Sequence, residues 1–271
     1  ASGGNYNVCV GDEAGTAINT GDNNVLIGAF TGDALTTGTF NVAVGTSALG
    51  ADILGNRSVA VGNNVLATQN PDTAVDMYNV AVGYSAGQAV TTGIQNTLIG
   101  GVAGDALDVG SFNVVMGTSA LGADTKGSYS VAIGHAALTS QNFTTATDAY
   151  NVAVGRAAGG AITSGLYNTI IGGLAGDALT GNGFDGSGNR VAGADENVAV
   201  GTSSLGTDTK GSKSTAIGAS TLNAQNFTTA TDTYNTAVGY YAGVAVSTSI
   251  NNTMIGANAG VLTNTGHSNT F

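Results

Sequence analysis

Hydrophobic and polar positions along this chain fall into one short phrase, repeated from end to end. An Asn or Ser is followed by Val or Thr, then an apolar residue, then Val or Ile (Met once), then Gly. This unit, N-[V/T]-x-[V/I]-G, opens at Asn7, Asn24, Asn41, Ser58, Asn79, Asn96, Asn113, Ser130, Asn151, Asn168, Asn197, Ser214, Asn235 and Asn252, and a further copy begins at Asn269. The common step is 17 residues. Ser replaces Asn only at Ser58, Ser130 and Ser214, and a step of 21 residues follows each. Three steps of 17 and one of 21 make a higher period of 72 residues. The step from Asn168 to Asn197 carries 12 extra residues, read as a loop insertion at about 180–196. A fixed period of this size is the mark of a solenoid or array, so residues 1–271 read as a single repeat domain of about 14 coils.

Each column of the phrase has a physical demand. The β-branched second and fourth positions suit a pleated strand. The invariant Gly marks a strand end that needs positive φ or has no room for a Cβ. Asn in a column can serve turn backbone groups and bond its stacked copies. The middle position never holds a polar side chain; Leu26, Ala43, Leu98, Val115 and Ile170 are examples. A strand with one wet face should alternate, so this one is expected to be buried on both faces. A 17-residue coil can bury one face in its own core. The other needs a cover, and a second copy of the chain is the simplest one. A second apolar stretch after each Gly, such as TSALG at 46–50, reads as a second strand with a small inward residue like Ala48 or Ala120. Aromatics stand just before the phrase at Tyr6, Phe40, Tyr78, Phe112, Tyr129, Tyr150, Tyr167 and Tyr234, a column expected to stack along the outside or fill a groove. The fold predicted is all-β, a parallel β-solenoid with strands stacked at about 4.8 Å and spanning roughly 67 Å.

Composition narrows the function. The chain has 44 Gly, one Pro and no Trp, and 8% of residues are charged while 42% are hydrophobic. That is too apolar for a disordered tract. Its net charge of −11, from six basic and seventeen acidic residues, offers no basic face for nucleic acid. The lone Cys9 reads as a small apolar strand residue. No apolar run is long enough to insert in a membrane, and no targeting segment is visible in the chain.

SVAIGHAAL at 130–138 and STAIGASTL at 214–222 resemble the head repeats of trimeric autotransporter adhesins, which read close to N-S-V-A-I-G. YNTAVGYYAG at 234–243 and NTLIGGVAG at 96–104 are similar to repeats of phage tail-fibre and tail-spike-type proteins. The resemblance covers essentially the whole chain. It implies a left-handed β-roll, three chains wound into one rod, and a place in an extracellular fibre on a virion or cell surface. The adhesin repeat is shorter than 17 residues, and no heptad stalk, membrane anchor or capping segment is visible. The chain therefore reads as a segment of a longer fibre or as a subunit that joins others end to end.

Candidate chemistry is sparse. His135 and His267 stand about eight coils apart and are not expected to share a site. Asp33, Asp105 and Asp177 recur every 72 residues in GDAL contexts that read as solvated turns. The Gly/Asp-rich DGSGNR at 185–190 lacks the spacing of a calcium loop and reads as a projecting loop. No phosphate-binding loop occurs. No catalytic, cofactor-binding or metal-binding residue is assigned, no cofactor is expected, and the chain is not expected to be an enzyme. The leading expectation is the structural shaft of an extracellular fibre mediating attachment, with a homo-oligomer, most readily a trimer, as partner and a surface receptor or glycan on its loops. An end-to-end filament subunit is the alternative. An ice-binding solenoid is a lesser one, carried by the second-position Thr97, Thr169, Thr215, Thr236 and Thr253 in a strand expected to be buried.

Overall fold

The computed structural model describes residues 4–181, 191 and 193–271. DGSGNR at 185–190 and much of the insertion at 180–196 lie outside the described residues. The chain divides into two compact units, Ala1–Tyr129 and Ser130–Phe271. Each is a run of seven coils of a parallel β-solenoid, about 14 in all, and the described residues contain no helix.

In the first unit the strands Val8–Val10, Val25–Ile27, Val42–Val44, Val59–Val61, Val80–Val82, Thr97–Ile99 and Val114–Met116 follow one another in parallel. Register is strict: Leu26 faces Ala43, Ala43 faces Ala60, and Ala81 faces Leu98. A side sheet pairs Gly55–Asn56 with Val75–Asp76 where the longer step intervenes. The second unit repeats the plan with Val131–Ile133, Val152–Val154, Thr169–Ile171, Val198–Val200, Thr215–Ile217, Thr236–Val238 and Thr253–Ile255. Its side sheet pairs Gly211–Ser212 with Thr231–Asp232.

The strand glycines meet their expectation by both routes at once. Gly45 has φ +130, and a Cβ there would stand 2.2 Å from the carbonyl oxygen of Gly62, its counterpart one coil on. Two adjacent coils can approach this closely only because both lack a side chain at that point.

The middle residue points inward. From Leu26 to Met254 all thirteen are fully buried, while Cys9, in the first coil, is exposed. The second strand predicted after each Gly does not form. Those residues run through turns in which every second residue has positive φ, as at Ser47 (+56) and Leu49 (+52). A strand needs successive residues in the β region, and this alternation bends the chain instead. The inward small residue is nonetheless correct, because Ala48, Ala86, Ala120 and Ala175 are fully buried. The turns stack by backbone bonds: Leu49 N–H donates to Val65 O at 3.1 Å, and Ser47 N–H to Ala29 O at 3.0 Å.

The core is filled by a trade of volume within the coil. Where the strand centre is Ala43, Ala60, Ala132 or Ala216, the residue six positions on is Leu49, Leu66, Leu138 or Leu222, fully buried in each case. Where the centre is Leu26, Leu98, Ile170 or Met254, that position is Gly32, Gly104, Gly176 or Gly260. A third inward column, seven residues after the strand glycine, reads Ile18, Leu35, Asp52, Gln69, Val90, Leu107, Asp124 in the first unit. In the second it opens on Gln141 and continues Ile162, Leu179, Asp208, Gln225, Val246. Two aliphatic coils thus alternate with two polar ones inside the core.

Candidate functional site

Three groups of side chains stand out: the outer face of the strands, the aromatic column beside it, and the buried polar residues that tie the coils together.

With the middle residue turned inward, pleating turns the second and fourth positions outward. In the first unit Ile27, Val82, Val114 and Met116 are 36–40% exposed. In the second, Ile171 and Ile217 are 38% and 39% exposed. Across all fourteen strands no outward position holds a charged residue. The second-position threonines Thr97, Thr169, Thr215, Thr236 and Thr253 lie on this face half-exposed, not buried as the sequence suggested, since the single chain covers only the inward face.

The residue before each Asn or Ser of the phrase has positive φ, from Tyr6 (+59) to Ser268 (+57). Bulky side chains are costly in this region, and the conformation is held by bonds to the preceding coil, as from Phe40 N–H to Asp22 O at 3.0 Å. The expected stacking is present. Phe112 and Tyr129 lie 4.8 Å apart at 8°, and Tyr150 and Tyr167 lie 5.6 Å apart at 10°. Where an aromatic gives way to a cation, the cation joins the column. Arg57 sits 5.0 Å from the Phe40 ring centroid and 5.9 Å from that of Tyr78, with Nε 2.9 Å from Asp76. Lys213 lies 5.4 Å from the Tyr234 ring centroid and donates to Asp232 at 2.6 Å. That bond lowers the Asp232 pKa and raises that of Lys213.

The Asn column forms the expected ladder, mostly from side chain to backbone. Asn41 Oδ1 accepts from Ser58 N–H at 2.9 Å, and Asn41 Nδ2 donates to Gly55 O at 2.9 Å. The ladder changes at each Ser, whose short side chain cannot span to the next coil. In the first unit Gln69 bridges instead: its Oε1 accepts from Asn79 Nδ2 at 2.9 Å, and its Nε2 donates to Ser58 Oγ at 3.0 Å and Asp52 Oδ2 at 2.5 Å. In the second unit Gln225 makes the same bonds to Asn235, Ser214 and Asp208. The Ser substitution and the 21-residue step therefore belong to one device, with the longer step supplying the Gln.

Burial raises the pKa of Asp52 and Asp208, against the opposing effect of their Gln and backbone hydrogen bonds. Sequence reading missed both acids. Their signal was present, in GADILGN at 50–56 and GTDTKGS at 206–212, where Asp stands in an otherwise aliphatic core column.

The residues weighed from sequence do not converge on a reactive centre. His135 is exposed in a turn, and His267 accepts from Ile250 N–H through Nδ1 at 3.0 Å. Asp33, Asp105 and Asp177 sit in turns but are half-buried, not fully solvated, and burial raises the pKa of Asp105 and Asp177. Among the described residues no three His, Cys, Asp or Glu are placed to hold a metal ion, and no helix is long and apolar enough to cross a membrane. A cleft of about 570 Å³ in the second unit is lined by Asp195, Glu196, Ser212, Lys213, Thr231 and Asp232. The cation among these residues is already engaged by Asp232.

Comparison with known proteins brings no match: no family model, no curated protein and no solved structure aligns with this chain.

Proposed function

We propose that this chain is a shaft segment of an extracellular attachment fibre, assembled as a homo-oligomer over its outer strand face. One observation carries the reading. The chain bears a net charge of −11, yet its outward strand positions contain no charge and remain about two-fifths exposed at Ile27, Met116, Ile171 and Ile217. Contiguous exposed apolar surface of this kind marks a contact site. Like-charged copies can meet only where neither carries charge, so the face suits a second copy of itself. Three copies is the number implied by the resemblance to adhesin head and tail-fibre repeats. A stacked scaffold with no reactive cluster among the described residues suits a mechanical role.

Light scattering at micromolar concentration tests this reading. The wild type should run as an oligomer, a trimer on the resemblance. Val82→Glu combined with Val114→Glu should convert it to a monomer with unchanged circular dichroism. A monomeric wild type sinks the proposal. The half-exposed threonines of the same face favour a second reading, ice binding. Thermal hysteresis in dilute wild-type solution, lost in Thr97→Lys, would select it.

A further inference from the structure

Asp52 and Asp208 are fully buried carboxylates in a core column, and neither faces a cation among the described residues. Asp52 Oδ1 accepts from Gly55 N–H at 2.7 Å, with Leu54 N–H beside it, and Oδ2 accepts from Gln69 Nε2. In the coil before it the column holds Leu35. Asp208 Oδ1 accepts from Gly211 N–H at 3.0 Å and Phe227 N–H at 3.1 Å, Lys210 N–H adds to these, and Oδ2 accepts from Gln225 Nε2. The column before it holds Leu179. No charged group from these surroundings acts on either acid; every partner is a neutral amide.

The orientation of those amides is not free. Asn79 Oδ1 is committed to Asn96 N–H and its Nδ2 to Gly93 O, so Nδ2 also faces Gln69 as a donor. Gln69 must answer with Oε1, which turns Nε2 toward Asp52. The polarity of the Asn ladder is thereby passed through Gln69 to the carboxylate, which is held as an acceptor. The same chain runs from Asn252 through Asn235 and Gln225 to Asp208. A buried carboxylate with only neutral donors is expensive to keep charged.

We propose that Asp52 and Asp208 make the cohesion of the coils around them proton-dependent, so that each unit is more stable in mildly acidic medium than at neutral pH. The sign follows from burial. The folded-state pKa lies above the unfolded value. Above the folded value the native state carries a charge that the unfolded chain hydrates freely. As pH falls through the folded pKa, the native state takes up a proton that the unfolded state still lacks, and stability rises until the ordinary aspartate range is reached. Asp105 and Asp177 shift the same way and Asp232 the opposite way, so a variant must isolate the effect. Asp124 shares the core column, accepting from Gly127 N–H at 2.9 Å, and stays unchanged in that variant.

The test is the unfolding temperature between pH 8 and pH 4, for the wild type and for Asp52→Asn with Asp208→Asn. The wild type should gain on the order of 2–4 °C on acidification, and the variant should lose at least half of that gain. An equal gain in both, or a wild type that loses stability over this range, overturns the proposal. Should the variant fail to fold, ¹³Cγ titration of the wild type decides. Asp52 and Asp208 must titrate above exposed aspartates such as Asp72; midpoints at or below theirs overturn the proposal.

Discussion

Leu98 and Gly104 divide one volume between them: a methyl group on Gly104 would stand 3.1 Å from Leu98 Cδ2. In neighbouring coils the division is reversed, with Ala60 at the strand centre and Leu66 six residues on. Backbone conformation at the later position is the same in both cases, φ +55 at Gly104 and +48 at Leu66, so the exchange is one of side-chain volume alone. Leu98→Ala should cost about 2–5 kcal/mol as a cavity. Gly104→Leu should cost about 1–3 kcal/mol by overfilling the core. The double variant should recover most of the loss, a coupling measurable in a double-mutant cycle of urea unfolding. Additive losses would refute the trade.

Gly45 offers a sharper case, because its obstacle is backbone. A Cβ there meets the Gly62 carbonyl oxygen at 2.2 Å, and φ is already +130. Gly45→Ala should destabilise the first unit by more than the ~1 kcal/mol of a simple Gly-to-Ala conformational effect. Gly101, where a Cβ meets nothing within 4 Å, should accept Ala at little cost. Parallel denaturation curves compare the two.

Removing an Asn from the ladder should leave two buried backbone groups without partners. Asn41→Ala orphans Ser58 N–H and Gly55 O, each worth about 1–3 kcal/mol when unsatisfied. Hydrogen exchange at the Ser58 amide should accelerate far more than at amides two coils away.

The direction of the Asn79–Gln69–Asp52 chain can be tested by inverting its last link. Asp52→Asn alone sets an amide against either Gln69 Nε2 or Gly55 N–H, a donor facing a donor, and should cost about 1–3 kcal/mol. Adding Gln69→Glu restores an acceptor to every donor, namely the amide introduced at position 52, Asn79 Nδ2 and the Ser58 hydroxyl, and should recover stability at neutral pH. Thermal unfolding of the single and double variants reads this directly.

Much of this fold could be read from one line of residues, because a solenoid repeats a local rule. The period, the parallel register, the positive φ of the strand glycines, the inward middle residue and the Asn column all follow from stacking one phrase on itself. The apparent second strand shows where local pattern fails. Segments like TSALG have a strand's apolar content, but alternating positive φ, held by bonds to adjacent coils, turns them into a bend. Those bonds run to residues 16 or 18 positions away, as from Leu49 to Val65 and Ser47 to Ala29, beyond any local propensity.

The sequence by itself determined the coil: its length, its strand, its glycine and its inward small residue, since each answers to a constraint repeated at every step. Only the tertiary structure decided what the exceptions mean. Ser58, Gln69 and Asp52 read separately as a substitution, part of an insertion and a turn acid. Stacking brings them within hydrogen-bond reach inside the core, where water is excluded and each polar atom must find its partner in a neighbouring coil.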